Sequence, residues 1–583
     1  MLGDGAFENC SNLTYVLVEN LTNIGPSTFE NCTSLQTIEL PETVQAIGNS
    51  AFYNCKELQN IILPNSLYSI GELVFYYCKN LKGIEIPDNV TTIGNRVFES
   101  SGLEYAYLGD GIVMIGSSMF NNCLNLKEVT CGGSITTIAD KAFYNCTALE
   151  KFIFPNSLLT IGDNAFYNCT SLKEIILNEG LSTIGTNAFV NCSGTEKIVI
   201  PNSIIYVTEG MLKGCSSLET LVIPFVGSSN MAMTSSSATL VGFIFGSTQY
   251  NGSTKIEQNY TDTATSTYYI PTNLKRIDVT GSTDILNGAF SNIPSLKEIT
   301  IPSTMINIDA NIIKGSTNLE LIYYRGTESN WNSVNKNTNW DNESSNYDLR
   351  FVQGNLVRVI DKLEGTEEFS AKLYDSTGTN LLYEGLSTYY GSGLENISNG
   401  TYLLKVTKGD KSYEKLIEVN GDLEIIVDGS NKDILEQFKD REMIIVLTWG
   451  ENPRDLDSHI TYTDDLSNYH IYYSNKIDST TGTNLDIDDV TSYGPEVVTV
   501  LKLQDGIYRY SVFDYTNGGS SISNDLSKSN AKVELYIDGE LINTYHVPEG
   551  YGCLWTVFEY NGSNKEITSI NTITGGITSG QVK

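Results

Sequence analysis

Histidine is almost missing from this chain: there are three in 583 residues, His459, His470 and His546, all in the last quarter. A histidine triad or histidine zinc site is therefore excluded from the first 458 residues. Basic residues are also scarce, 36 against 69 acidic, leaving a formal net charge of -33. Such a field repels nucleic acid and anionic membrane surfaces, so neither is expected as a partner. No apolar run reaches the eighteen or so residues that a spanning helix needs, which excludes membrane insertion by such a helix. Eleven cysteines are present, but none stand in a C-x-x-C spacing, which removes the commonest zinc and redox signatures.

Periodicity dominates what is there. "AFYNC" occurs at 51 to 55, 142 to 146 and 165 to 169, within a longer sentence such as LQTIELPETVQAIGNSAFYNC at 35 to 55. The phenylalanines Phe29, Phe52, Phe75, Phe98, Phe120, Phe143, Phe166 and Phe189 recur every 22 or 23 residues. Short apolar strands punctuated by Pro and Gly at a fixed period describe one coil of a solenoid. A single coil cannot bury its own apolar face, so coils must stack, with equivalent residues about 4.8 Å apart in ladders.

Stacking places Cys32, Cys55, Cys78, Cys123, Cys146, Cys169, Cys192 and Cys215 in one interior column, with Cys10 at its start and Ser101 in the missing rung. Distance alone allows disulfides between neighbours. An odd-numbered column of parallel side chains with a serine rung reads instead as buried free thiols, packing as small hydrophobes. The Asn before each Cys is expected to satisfy backbone groups at the turn. Cys131 and Cys553 are expected to pack in cores.

The L-x-x-I-x-I-P-x-x-V-x-x-I-G-x-x-A-F-x-N-C sentence resembles the BspA-type leucine-rich repeats of bacterial and protozoal surface proteins. It covers residues 1 to 345, with a terminal coil over 317 to 345 in which YYRGTESNWNSV and Trp331 suggest a cap. Residues 225 to 273 break the period. This insertion is rich in Ser, Thr, Tyr and Asn, and it reads either as a binding surface, with Tyr250, Tyr260, Tyr268 and Tyr269 as contacts, or as an inert edge.

After residue 345 the pattern changes to alternating strands between Gly, Asn and Asp turns, the sign of β-sandwiches. Residues 351 to 430, with NGTYLLKV, resemble prealbumin-like or CNA-B-like spacer modules. Residues 444 to 572 follow a charged linker and resemble YfaP-type domains, leaving 573 to 583 as a tail. The expected fold class is thus mainly β, a leucine-rich-repeat solenoid followed by two β-sandwiches.

LTWGENPRDLDSHI and LDIDDVTSYGPEVVTV gather Asp455, Asp457, Asp486, Asp488, Asp489 and Glu496. Carboxylates in loops with Gly and Tyr carbonyls nearby suit a hard cation, and calcium is the candidate cofactor. Solvated turn caps are the other reading, and a carboxylate-pair or His/Asp hydrolase a third. With no catalytic constellation identified, a non-catalytic adhesin or ligand-binding protein is expected, extracellular or at the cell surface. Host matrix proteins, mucosal glycoproteins or other bacteria would be its partners. The binding portion of a larger secreted enzyme and a structural stalk are the alternatives. The opening MLGDGAFENC, lacking both a secretory signal and a cap, suggests a piece of a longer polypeptide.

Overall fold

The computed structural model describes all residues except 1–2, 19, 232–233, 343–346, 362–368, 376–379, 389–390, 409–410, 428–441, 450–455, 464–467, 473–476, 479–482, 488–495, 515–524, 530, 538–539 and 576–583. Two compact units are present, the first dominated by residues 1–357.

In the first unit most coils contribute a longer strand, a turn, a two-residue strand and a tight corner, with single bridges standing in for a strand at Asn60 and Tyr206. All strand pairs along the stack are parallel, as in Glu128↔Lys151 and Thr137↔Thr160. The apolar residue of each strand points inward, and Ile38, Ile84, Val129, Ile175 and Ile198 are buried. The phenylalanine rings from Phe7 to Phe189 form one column with centroids 4.9 to 5.6 Å apart and nearly parallel planes. The glycine that follows most of the short strands permits close stacking: a Cβ on Gly94 would sit 2.5 Å from the Glu72 nitrogen.

At the corner, Asn31, Asn54, Asn122, Asn145, Asn168 and Asn191 adopt left-handed backbone with φ between 58° and 63°. Asn reaches that region more readily than other chiral residues. Its amide then joins a second ladder, Asn54 Nδ2 donating to Asn31 Oδ1 and Asn145 Nδ2 to Asn122 Oδ1, both at 2.8 Å. Thus the side chain bonds its counterpart in the next coil rather than the turn backbone that the sequence suggested.

The 225–273 insertion is one oversized coil. Leu212 N–H donates to Ile244 O, the bond that Phe29 N–H makes to Ala51 O, so Phe245 takes the phenylalanine position. An antiparallel hairpin, Ser253–Asn259 with Thr265–Pro271, follows. The chain then rejoins the sheet with Thr220 opposite Arg276. Gln258 fastens the hairpin: its buried amide accepts from Gly242 N–H at 2.9 Å and donates to Ser291 O at 2.9 Å.

The helix Glu328–Ser333 follows, capped by Thr327 and carrying buried Trp331 against Tyr324 and Trp340. The sheet does not stop at 345. Strand Asp348–Phe351 pairs with Leu321–Tyr324, extending the seven-stranded sheet by one strand beyond the sequence boundary.

Beyond it, residues 355–427 hold two four-stranded sheets, and residues 443–574 hold sheets of six and five strands. In the latter, Ile445, Leu447 and Val533 of one sheet share a core with Ile460, Tyr510 and Phe558 of the other. That is the packing of a sandwich.

Candidate functional site

Among the insertion tyrosines, Tyr268 is 3% exposed and donates its hydroxyl to Ser237 O at 2.7 Å, which corrects its assignment as a contact residue. The alternation of the hairpin turns Ile256, Gln258, Tyr268 and Ile270 to the solenoid. Tyr260 packs against the same core. The hydroxyl of Tyr250 is enclosed without a partner, and desolvation raises its pKa. Tyr269, opposite Lys255, keeps partial exposure. The cavity beneath the insertion, between Phe225, Val226, Thr239 and Leu286, holds about 20 Å³. That is room for little more than a water molecule.

The cysteine column is fully described. Each thiol donates to the phenylalanine carbonyl one coil back, Cys55 to Phe29 O at 3.1 Å and Cys146 to Phe120 O at 3.1 Å. Cys32, Cys78, Cys123, Cys169, Cys192 and Cys215 make the same bond. Ser101 fills its rung and lies 3.3 Å from Cys123 Sγ. None of the eleven cysteines, all of them described, is in a disulfide; Cys10 is exposed and Cys131 half-buried. Burial pushes the thiols of Cys78, Cys123 and Cys215 up to about 12, which leaves them unreactive.

Of the six acids assembled from the sequence, Asp455, Asp488 and Asp489 lie outside the described residues. Asp486 sits at a register shift in Thr483–Ile487, and Glu496 pairs with Leu447. Asp457 is only 2% exposed, so it is not a solvated loop ligand. It shares a face of strand Leu456–Thr463 with His459, while Leu456, Ile460 and Tyr462 face the core. Among the described residues no three His, Cys, Asp or Glu side chains gather in a way that could hold a metal.

On that face lies a pair that sequence reasoning missed. His459 Nδ1 and His470 Nε2 are 2.8 Å apart, and Tyr472 stacks on both rings. Desolvation, followed by the neighbouring His470, holds the pKa of His459 well below the usual imidazole value, and desolvation lowers that of His470. The one available signal was the confinement of histidine to this domain.

The outward faces of the solenoid carry the remaining chemistry. On the longer strands Glu128 faces Lys151 and Glu174 faces Lys197, a chequered, nearly neutral surface. At the corners Tyr53 stacks on Tyr76 at 4.8 Å and Tyr144 on Tyr167 at 4.9 Å, and Lys79 lies over Tyr77 at 4.3 Å.

These parallel coils, stacked on a phenylalanine column and, as far as Cys215, a column of cysteines with one serine rung, define a β-rich leucine-rich-repeat solenoid. The model of the BspA type leucine rich repeat region matches in six copies over residues 1–127, 113–228 and 225–320, more than half of the chain. The chain belongs to the BspA-type leucine-rich repeat family. A leucine-rich repeat protein from Bacteroides ovatus is similar at 25% identity, over 62% of this chain and 82% of its own, with a TM-score of 0.38. A leucine-rich cell surface protein from Faecalibacterium prausnitzii is 23% identical over 58% and 86%, with a TM-score of 0.26. The pneumococcal vaccine antigen PcpA is 18% identical over 57% and 71%, with a TM-score of 0.27. No curated protein matches the chain. Among the described residues no helix is long and apolar enough to cross a membrane.

Proposed function

We propose that this chain is a non-catalytic adhesin of the bacterial surface, binding macromolecules through the outward faces of its solenoid. The observation that carries the reading is the regular stacking of the coils ahead of the insertion. It displays stacked tyrosines and paired charges as a long regular surface rather than converging them on a cleft. Solenoids recognise partners through such extended faces. The membership of the family supports it, as does a relative that is a cell surface protein. Matrix proteins, mucosal glycoproteins and other bacterial surfaces are the partner classes. Binding of the full chain to an array of these tests it: saturable binding that weakens when Tyr53 and Tyr76 are changed to Ser is expected, and silence across the array overturns it.

A calcium site formed by Asp455, Asp486, Asp488, Asp489 and Glu496 is a separate proposal, from which buried Asp457 drops out. A rise in Tm on adding Ca²⁺ to the full chain, absent in D488N/D489N, would support it. An unchanged Tm at millimolar Ca²⁺ would remove it.

A further inference from the structure

One side of the solenoid differs from all others in carrying no charge. The outward residues one position before the short strands, or before the bridge residue Tyr206, read Gln45, Tyr68, Thr91, Val113, Thr136, Leu159, Ser182 and Ile205 in successive coils. Their stacking is direct, since Tyr68 N–H donates to Gln45 O, Leu159 N–H to Thr136 O and Ser182 N–H to Leu159 O. Every second rung is a large apolar side chain, and each is about half exposed: Tyr68 51%, Val113 55%, Leu159 49% and Ile205 49%. Seven coil spacings make this strip about 34 Å long. The column beside it is also uncharged over the same coils, from Ala46 to Tyr206. In a chain of net charge -33 a regular uncharged stripe with apolar residues at alternate rungs calls for a reason.

Charge returns at both rims, and with one dominant sign. The turn before the strip exposes Glu42, Asp88, Asp110 and Glu179, and the turn after it exposes Glu72, Asp140, Asp163 and Glu209. Several of these acids also bridge coils, as Asp163 Oδ1 does by accepting Thr186 N–H. Against them stand only Arg96 and Lys141, one residue further out, and Arg96 is already paired with Glu99 at 2.6 Å.

We propose that this strip is a docking surface for a basic protein, one that presents an apolar ridge bordered on both sides by Lys or Arg. The acidic rims select the sign of the partner and oppose a second copy of this chain, whose own rims would meet them. They oppose nucleic acid equally. A footprint about 34 Å by about 15 Å covers roughly 500 Å² of one partner, less than the ~800 Å² of a standard interface. Affinity therefore draws on the rims as well as the strip and falls with salt. This inference rests on the adhesin reading and names the partner chemistry of one face.

The test uses the full chain and three synthetic β-hairpin peptides. One has a Leu/Val face bordered by lysines, the second has glutamates in place of the lysines, and the third has serines in place of the apolar face. The lysine-bordered peptide alone should bind. Its affinity should fall about tenfold or more in V113S/L159S/I205S, and several-fold in E42Q/E72Q, while E39Q/E85Q on the longer strands leaves it unchanged. All these side chains are at the surface, so folding is retained, and an unaltered melting curve checks it. Equal binding of the serine peptide, or equal loss in E39Q/E85Q, would reduce the effect to bulk charge and overturn the proposal. So would a concentration-dependent dimer abolished by V113S/L159S/I205S, which would assign the strip to a second copy. An array ligand bound equally by wild type and V113S/L159S/I205S, with no peptide binding, overturns this inference and leaves the adhesin reading standing. Peptide binding with a silent array overturns the adhesin reading alone.

Discussion

His459 Nδ1 and His470 Nε2 lie 2.8 Å apart as one hydrogen bond, inside a domain that also buries Asp457 and Asp514. The face around them holds Asp457 on the same strand, Tyr472, Phe513 and Ser511, with the Arg509–Glu559 ion pair further along. No carboxylate is among the causes shifting either imidazole, and both pKa values are depressed. The unfolded chain takes up protons near the ordinary value of about 6.5, while the folded pair stays neutral. Stability is therefore full above that pH and falls as pH drops below it toward the depressed folded values, by up to about 1.4 kcal/mol per pH unit for buried His459 and by less for the more exposed His470. Calorimetry at pH 7.5, 6.5 and 5.5 should show one component losing Tm with acid, and H470Q should lessen that loss without abolishing it, because burial alone still depresses His459. A component indifferent to pH across this range would refute the neutral pair.

Thiol titration checks the cysteine column. Native protein should react at Cys10, slowly at Cys131, and at the remaining nine only after denaturation. Fast labelling of Cys146 in native protein would contradict its burial.

Gln258 joins the hairpin to the coil through three buried bonds. Q258L should cost about 2 to 3 kcal/mol, because the Gly242 N–H and Ser291 carbonyl are left without partners. Urea melts would measure it, and a cost under about 0.5 kcal/mol would show that the hairpin is held otherwise.

Leu73 stands at a corner where other coils place Ser50, Asn164 and Asn187, and it adopts φ 60°. A left-handed leucine costs about 1 to 2 kcal/mol. L73N should recover a good part of this as a higher denaturation midpoint, and a lower midpoint would mean that its packing outweighs the backbone strain.

The solenoid was legible because a fixed period makes every coil its neighbour's template: Phe29 locates Phe52, and the proline-to-glycine punctuation locates both strands. The sequence was less informative where that template fails. Which side of the 253–271 hairpin packs is set by Gln258 reaching Ser291, a contact with no periodic trace, and so Tyr268 looked available when it is buried. The left-handed asparagines were misread because their partners lie a whole coil away, as Asn31 does from Asn54. The boundary at 345 failed because Asp348–Phe351 pairs into the sheet without the repeat motif. His459 and His470 are eleven residues apart, and only the antiparallel pairing of their strands brings them together.

The most direct test of the central claim is amide hydrogen exchange of the full chain with and without a ligand found on the matrix and mucin array. Protection should appear on solenoid coils between residues 36 and 206. Protection confined to residues 443–574 would contradict the account and move the binding surface to the histidine-bearing domain.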